Sequence, residues 1–491
     1  MPIIPNDEQF IGTSSDVDMS EKKSSQVNSK TQVYTLQDFK DSVGSDGNLK
    51  IEGDVALDGT LRKVADQGGN LSLLQLSTSG VNALGSGTNS TQLGVGADAS
   101  TNNAISIGKN SNANAYDSIA LGNTALTNGI RAISIGKDSD ATNTNAIAIG
   151  NTAQSTALGS TAVGNGADAI QNYSLALGHS SYAGSNNTVA IGIATANAGF
   201  GIAVGNLALA SGTNAISIGA NSDATNTNAI ALGNTAQASG TSAISIGENS
   251  LANQLDSIAI GNNAQAIFSD RTIAIGVNSE ARSFDAIAIG NSTNSNGVSG
   301  ISIGRESSAA TYSIALSRQA LASGSYAVSL GYLAVASGSQ AISIGSNSDA
   351  TQTNSIGIGN AANADATNAI AIGRSGVISS NGIAIGDISG ATNTNTIAMG
   401  TNSLASGQNS ISLGRNSDAT NTDAIALGYG AQAVHASSVA IGSSATTTAN
   451  NQLAIGSSTS NLGTVTTESV TSDTTWTVKI NGTDYKVLLK A

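Results

Sequence analysis

Apolar and polar positions along most of this chain follow one phrase, apolar–small–apolar–Gly, that returns at about every fourteenth position. Residues 104–108 (Ala-Ile-Ser-Ile-Gly) and 369–373 (Ala-Ile-Ala-Ile-Gly) are two copies. The phrase occurs 27 times between residues 92 and 456, and 21 of the 26 intervals between closing positions have the same fourteen-position length. A short fixed period is typical of a solenoid, in which each unit is stable only when it stacks on its neighbours.

Each phrase predicts a short β-strand. Ile105 and Ile107 are two positions apart, so we expect their side chains on one face and the small residue between them on the other. A second small–x–small phrase, such as Ala-Gln-Ala at 236–238, predicts a second strand, and Asn, Thr, Ser and Gly fill the turns. The predicted fold is therefore an all-β, parallel β-solenoid whose coils contain two strands and two turns.

The closing position of the phrase is Gly in every copy except one, where Ser317 stands. We assign the first two closing positions to Gly96 and Gly108. A recurring Gly indicates a backbone with positive φ or a close approach between coils.

We expect the larger apolar residues of the phrase to form internal rows. Each fully buried Ile, Val or Leu contributes about 1.5–3 kcal/mol. Parallel strands about 4.8 Å apart would give a rod on the order of 125 Å long. Because a 14-residue coil encloses little volume and only 3% of the residues are aromatic, we expect several chains to associate along the rod. The expected core residues include Ile105, Ile107, Ile244, Ile246, Ile370 and Ile372.

The sequence divides into an extended N-terminal attachment segment, an irregular β transition, the 27-coil solenoid and a C-terminal β-hairpin cap, at residues 1–48, 49–91, 92–456 and 457–491. A helix is expected at 35–43 and strands at 49–55 and 71–76. In the last segment two apolar runs flank Asn481-Gly482, which favours a hairpin turn. The open edge of a solenoid requires a cap, and we expect Trp476 and Tyr485 to pack it.

Composition and charge narrow the classes of function that this chain can have. The net charge is −13, and ten of the 19 Lys and Arg residues lie outside the repeats, so no basic stripe favours nucleic-acid binding. The chain has no Cys, which excludes thiolate metal sites. No apolar run reaches the roughly 18 residues of a membrane-spanning helix, so membrane insertion is not expected. The first residues lack the features of a secretion signal. We expect no cofactor.

The repeat closely resembles the head of YadA-like trimeric autotransporter adhesins, whose units also read Asn/Ser-x-Ala-Ile-Ala-Ile-Gly. The resemblance extends over residues 92–456. It implies a left-handed parallel β-roll, a homotrimer and a rigid shaft that binds host surfaces. The signal peptide, neck motif, heptad stalk and membrane anchor of that family have no counterpart in the sequence, so we do not expect bacterial self-secretion.

The two ends resemble other proteins. Residues 17–38 are similar to the N-terminal segment of structural proteins from marine tailed phages, notably cyanophages, and residues 476–485 are similar to C-terminal modules of the same proteins. This resemblance implies a virion fibre that docks on other virion structural proteins through its N-terminal segment. The fibre would then contact a glycan or protein on the host cell. The alternative is the passenger of a bacterial surface adhesin.

Six aromatic residues lie five or six positions before a closing position, in one turn of the coil. Exposed rings in this turn could contact sugars of a host glycan, or they could pack between chains of a trimer. These candidate receptor-contacting residues are Tyr116, Tyr173, Phe200, Phe284, Tyr312 and Tyr326.

Two sets of charged residues are weaker candidates. Four arginines within a few coils could attract an anionic polysaccharide, although a solvated face is the simpler interpretation. Four aspartates each follow a closing Gly by four residues and could bind a cation on a trimer axis, although a turn-capping role is favoured. The arginines are Arg271, Arg282, Arg305 and Arg318, and the aspartates are Asp140, Asp223, Asp349 and Asp418.

An enzyme is not expected. His179 and His435 are the only histidines and lie far apart in the sequence, so they cannot share a site within one chain of a rod. Polysaccharide-cleaving tailspikes use paired carboxylates, but a 14-residue coil leaves no cleft for such a pair. Thr-x-Thr phrases at 142–144, 225–227 and 420–422 are not on consecutive coils, which argues against ice binding.

Overall fold

The computed structural model describes residues 62–65, 71–76, 85–457, 474–480 and 483–489 of the 491-residue chain. The described residues form strands and turns without a helix. Within this part of the chain, no helix is therefore long and apolar enough to cross a membrane. The chain forms two compact units, one up to Thr235 and the other from Ala236.

In both units the backbone winds in short coils that follow the fourteen-position period of the repeat, as predicted. One coil contains the three-residue strand Ile216–Ile218 and the two-residue strand Asp223–Ala224. Turn 1 follows the three-residue strand, here at 219–222, and turn 2 follows the two-residue strand, here at 226–229. Strands of each kind pair in parallel with those of the next coil, as Ile202 pairs with Ile216, so each unit is a parallel β-solenoid.

In the first unit, the three-residue strands are Thr91–Leu93, Ile105–Ile107, Ile119–Leu121, Ile133–Ile135, Ile147–Ile149, Thr161–Val163, Leu175–Leu177, Val189–Ile191, Ile202–Val204, Ile216–Ile218 and Ile230–Leu232. The two-residue strands of this unit are Asp98–Ala99, Asn112–Ala113, Leu126–Thr127, Asp140–Ala141, Gln154–Ser155, Asp168–Ala169, Tyr182–Ala183, Thr195–Ala196, Leu209–Ala210 and Asp223–Ala224.

In the second unit, the three-residue strands are Ile244–Ile246, Ile258–Ile260, Ile273–Ile275, Ile287–Ile289, Ile301–Ile303, Ile314–Leu316, Val328–Leu330, Ile342–Ile344, Ile356–Ile358, Ile370–Ile372, Ile383–Ile385, Ile397–Met399, Ile411–Leu413, Ile425–Leu427, Val439–Ile441 and Leu453–Ile455. The two-residue strands are Gln237–Ala238, Leu251–Ala252, Gln265–Ala266, Glu280–Ala281, Asn294–Ser295, Ser308–Ala309, Leu321–Ala322, Val335–Ala336, Asp349–Ala350, Asn363–Ala364, Gly376–Val377, Gly390–Ala391, Leu404–Ala405, Asp418–Ala419 and Gln432–Ala433.

Two antiparallel pairs flank the coils in the sequence. Arg62–Ala65 pairs with Leu71–Leu76, and Thr474–Ile480 pairs with Thr483–Leu489. The second pair supplies the two strands of the predicted hairpin. The Asn-Gly turn and the side chains of Trp476 and Tyr485 lie outside the described residues, as do the predicted helix at 35–43 and strand at 49–55. The role of the hairpin as a cap stays a prediction.

The interior of the coil is built from small residues, which corrects the predicted core. In the coil that begins at residue 215, the buried side chains are Ala215, Ser217, Ser222 and Ala224. The isoleucines on either side of the middle residue are only half-buried, and they face outward. The prediction of internal Ile rows is therefore wrong within one chain, because the two short strands enclose too little space for side chains as large as Ile. This applies to Ile105, Ile107, Ile244, Ile246, Ile370 and Ile372.

Serine can occupy this interior because its hydroxyl finds a partner inside the coil. The hydroxyls of Ser217 and Ser222 are 2.7 Å apart, and Ser222 also donates to the carbonyl of Gly219 in turn 1 at 3.1 Å. The same pairing joins Ser343 to Ser348 at 2.6 Å in the second unit. A buried hydroxyl without such a bond would cost roughly 1–3 kcal/mol, so these pairs make a polar interior tolerable.

The closing Gly satisfies both predicted requirements at once. Gly150 has a φ of 142°, a region that disfavours any side chain. A Cβ atom placed on Gly150 would lie 2.1 Å from the carbonyl oxygen of Gly164 in the next coil. The recurrence of Gly is therefore explained by positive φ and by close stacking of coils.

The first closing position is Gly94 rather than Gly96. Leu93 pairs with Ile107, so Gly94 is opposite Gly108, and its φ is 133°. Gly96 instead lies in turn 1, with a φ of 72° that resembles the 53° of Asn110. The sequence phrase at 92–96 contains two glycines two positions apart, and this ambiguity shifted the assignment.

Candidate functional site

Two exposed features stand out on this scaffold, and the first is apolar. The third residue of the three-residue strand remains partly exposed in coil after coil, as at Leu177 (41%) in the first unit and Leu330 (42%) in the second. Because the strands of neighbouring coils are in register, these side chains form outward-facing rows within each unit. We call them the strand rows.

The second feature lies at turn 2 of the second unit and carries one large exposed side chain on each of six consecutive coils. The coils are consecutive because their two-residue strands pair in series from Leu251–Ala252 to Leu321–Ala322. Exposure reaches 70% at Phe268 and 59% at Tyr326. This turn-2 strip consists of Leu255, Phe268, Phe284, Val298, Tyr312 and Tyr326.

Aromatic and cationic groups stack along the strip. The rings of Tyr312 and Tyr326 are 5.0 Å apart between centroids and inclined by 14°. The guanidinium of Arg271 lies 4.0 Å from the centroid of the Phe284 ring, which is the geometry of a cation–π contact. Adjacent coils thus hold these side chains in contact, because stacked turns repeat at the strand spacing of about 4.8 Å.

Carboxylates lie beside this column. Arg271 donates two hydrogen bonds to Asp285, at 2.6 and 3.2 Å. These bonds lower the pKa of the Asp285 carboxyl and keep it ionised. Asp256 and Asp270 also act electrostatically on Arg271. Asp285 contacts the guanidinium and the other two carboxylates act on it at longer range, so these four side chains carry a formal net charge of −2.

Phe268 owes its exposure to an extra residue. Gly261 and Gly276 are one position farther apart than the usual period, and the additional residue lies just before turn 2. Phe268 has a φ of 74°, and Arg271 has a φ of 55° at the usual position in the turn. The insertion therefore lifts one ring out of the regular coil.

The six aromatic candidates all lie in turn 2, as the sequence predicted, but the structure separates them into two groups. Phe284, Tyr312 and Tyr326 belong to the turn-2 strip. Leu255, Phe268 and Val298 complete it and were not recognised from the sequence. Alignment of turn 2 across coils could have identified Leu255 and Val298, whereas the insertion displaced Phe268. The other three aromatic residues, in non-adjacent coils of the first unit, are Tyr116, Tyr173 and Phe200.

The four arginines do not form a basic patch. Arg271 pairs with Asp285, Arg282 pairs with Glu280 at 2.6 Å, and Arg305 pairs with Glu306 at 2.8 Å. Arg318 lies 5.2 Å from the centroid of the Tyr332 ring. Arg305 and Arg318 belong to turn 1, whereas Arg271 belongs to turn 2. The set is therefore divided between two edges of the coil, and its charge is largely compensated.

The four aspartates open two-residue strands, so the predicted turn-capping position is wrong. Asp140 is half-buried beside Leu126 and Gln154, and one of its carboxyl oxygens is buried without a hydrogen-bond partner. Burial raises the pKa of this carboxyl. Burial also raises the pKa values of Asp223, Asp349 and Asp418.

The remaining candidates are isolated. His179 is exposed, and the ring of His435 lies 3.5 Å from the hydroxyl of Thr447. Among the residues that the structure describes, no group of three or more His, Cys, Asp or Glu could hold a metal ion.

These observations define an all-β repeat protein, a parallel β-solenoid with exposed apolar rows. Its sequence matches the family described as the YadA head domain repeat, and the chain therefore carries YadA head repeats. None of the curated proteins matches the chain. YadA head repeats indicate an adhesin-type fibre. The matched stretches, each compared with two copies of the repeat, are residues 113–139, 141–167, 169–193, 210–236, 224–247, 238–264, 322–348, 350–375, 379–403 and 405–431.

Proposed function

We propose that this chain is a non-enzymatic, trimeric fibre that mediates or spaces adhesion to a cell surface. The observation that carries the proposal is the combination of YadA head repeats with strand rows that a single chain leaves half-exposed. Such a solenoid is a structural scaffold, and it suits a protein displayed outside the cell. Backbone hydrogen bonds from coil to coil allow it to transmit position and force.

The strand rows support association of three copies. Full burial of an exposed Ile contributes about 1.5–3 kcal/mol, so a partly exposed side chain such as Ile246 gains a fraction of this value when a second chain covers it. Association of chains costs roughly 4–15 kcal/mol in lost freedom of motion. The second unit alone contains 16 three-residue strands, so the gain accumulates along the row against that cost.

The surface that carries the fibre is proposed to be a phage virion. The support is the similarity of residues 17–38 and 476–485 to segments of marine tailed-phage structural proteins. In this arrangement the N-terminal segment docks on other virion proteins, the solenoid extends outward, and the hairpin strands Thr474–Ile480 and Thr483–Leu489 form the tip. A glycan or protein of the host cell is the proposed receptor. The alternative, a trimeric adhesin passenger on a bacterial surface, fits the repeats equally well.

Immunogold electron microscopy separates the two locations. An antibody against residues 457–491 is applied to purified phage and to uninfected host cells. Gold at the distal ends of virion filaments is the expected result. Gold on uninfected cells together with bare virions would replace the virion fibre with the cellular adhesin, and gold at the base of the filaments would reverse the proposed orientation.

A further inference from the structure

We propose that the turn-2 strip binds an extended, uncharged glycan chain, an inference that rests on the adhesive function proposed above. The strip occupies turn 2 from Leu255 to Tyr326 in the second unit. It is distinct from the strand rows, which lie on the three-residue strands. The adhesive contact would thus be made along the side of the solenoid.

The shape of the strip favours an extended ligand. Six consecutive coils, spaced by about 4.8 Å, place it over a length of roughly 24 Å. Each coil contributes a single large side chain, so the strip is narrow. A stable contact with a globular protein needs roughly 20–30 residues on each side, which is far more than this strip offers.

The backbone of the strip cannot receive a peptide strand. The amide of Ser299 donates to the carbonyl of Phe284, and the amide of Tyr312 donates to the carbonyl of Val298, both at 2.8 Å. The amide of Tyr326 donates to the carbonyl of Thr311 at 3.1 Å. Recognition of a peptide by strand addition requires backbone groups that are not yet bonded. The ligand of this strip is therefore recognised by side chains.

The side chains present the chemistry that recognises sugars. The Phe268 ring and the exposed parts of the stacked Tyr312 and Tyr326 rings offer apolar area for the C–H groups of pyranose rings. Carboxylates and hydroxyls in the same turns, such as Asp256 and Ser325, can accept or donate hydrogen bonds to sugar hydroxyl groups. In turn 2, Asp256, Asp270 and Asp285 outnumber Arg271, so we expect the strip to take an uncharged glycan rather than an anionic chain.

The three rings lie on backbone with positive φ. Tyr312 and Tyr326 have φ values of 55° and 62°, and Phe268 has a φ of 74°. Bulky residues are uncommon in this region, which suits Asn and Gly. Where turn 2 carries asparagines, as at Asn381 and Asn395, their amides bond from coil to coil. Tyr173 and Phe200 share this conformation, with φ values of 57° and 60°, so the strip is distinguished by exposed side chains on six consecutive coils rather than by its backbone.

The test measures binding of the full-length protein to a printed array of neutral and anionic oligosaccharides. The strip variant combines Phe268→Ser, Tyr312→Ser and Tyr326→Ser. The control variant combines Tyr116→Ser, Tyr173→Ser and Phe200→Ser, which removes three exposed rings from the same turn in the first unit. We expect the wild-type protein and the control to bind neutral oligosaccharides and not anionic ones, and we expect the strip variant to bind at least tenfold more weakly.

Four outcomes would overturn the inference. For the wild type, they are binding to anionic sugars only and binding to no sugar. For the strip variant, they are binding equal to that of the wild type and a loss of oligomer mass, which would place the strip between copies. If the triple variant loses its β structure, Phe268→Ser alone replaces it. Binding of labelled wild-type protein to host cells without any sugar binding would reject the glycan while leaving the adhesive fibre in place. Absence of cell binding would reject the fibre function itself.

Discussion

At the scale of single residues, the closing position of each coil admits almost no side chain. Gly122 and Gly136 have φ values of 145° and 139°, and a Cβ on Gly122 would lie 2.1 Å from the carbonyl oxygen of Gly136. Ser317 is the exception among the closing positions, with a φ of 119°. For a residue other than Gly, this backbone conformation costs about 1–3 kcal/mol.

Ser317→Gly should therefore stabilise the protein. Relief of the backbone strain exceeds the entropy that Gly adds to the unfolded chain, and we expect a net gain of about 1 kcal/mol. Thermal unfolding followed by circular dichroism measures the change as a higher Tm. Gly331→Ser at the next closing position should lower the Tm, and an equal Tm for all three proteins would show that positive φ is not limiting here.

A second prediction at this scale concerns the half-buried carboxyl of Asp140. Burial raises its folded-state pKa above the ordinary value, so the folded protein binds this proton more tightly than the unfolded chain does. The ionised group therefore opposes folding at neutral pH, and the penalty disappears as the pH falls through the folded pKa towards the unfolded value of about 3.9.

Asp140→Asn should raise the Tm at pH 7, and the difference from the wild type should vanish near pH 3.5. The matched control is Asp98→Asn, since Asp98 occupies the same strand position but is exposed. Melting curves at several pH values measure both. A benefit of Asp140→Asn that is constant with pH would contradict the assignment to an ionised, desolvated carboxyl.

At the scale of elements, the turns carry a hydrogen-bonded ladder that complements the strand ladders. Five side-chain amides in consecutive coils each donate to the next coil, at distances of 2.9–3.1 Å. Every member has a φ of 57–60°, a conformation that Asn tolerates better than other residues with side chains. The ladder consists of Asn354, Asn368, Asn381, Asn395, Asn409 and the terminal acceptor Asp423.

Asn381→Ala should interrupt this ladder and destabilise the second unit by about 1–2 kcal/mol, because it combines the loss of hydrogen bonds with backbone strain. The variant loses two exposed hydrogen bonds and places a Cβ-bearing residue without a local polar group at a φ of 57°. Asn381→Gly separates the causes, because Gly removes the bonds but accepts the φ. Denaturant unfolding should rank the wild type above Gly and Gly above Ala; if Ala and Gly are equal, the backbone conformation contributes nothing.

Sequence alone predicted most of these elements, because period and turn chemistry are local properties. The strands Ile105–Ile107 and Ile244–Ile246 were found from the alternation of one phrase. The alternation did not determine which face of each three-residue strand points into the coil. Hydrophobicity favoured the isoleucines, but the volume between two strands of a 14-residue coil accepts side chains no larger than Val, and mostly Ala and Ser such as Ser106 and Ser245. The turn-2 strip was found only in part, because Leu255 and Val298 are not aromatic and the insertion shifts Phe268 against the repeat.

At the scale of the whole molecule, small side chains fill the interior of the coil and large apolar side chains lie on its surface. This arrangement favours association with further copies of the chain. The largest fully buried side chain among the described residues is Val377, so one chain gains little from its own interior. The strand rows hold one large apolar side chain per coil, and they are covered only when copies associate. Association is thus expected to be a condition of stability rather than a later event.

Ile246→Asp tests this expectation. Ile246 is half-exposed in one chain, so the charge becomes buried and unpaired only when copies pack on the strand rows. We expect the wild type to have the mass of a trimer in light scattering, and the variant to show a lower mass or a Tm reduced by many degrees. Gln237→Asp is the matched control, since it adds a similar charge on an exposed position of the neighbouring two-residue strand. A variant with trimer mass and wild-type melting would place the row in solvent, and a stable wild-type monomer would remove the trimer from the proposal.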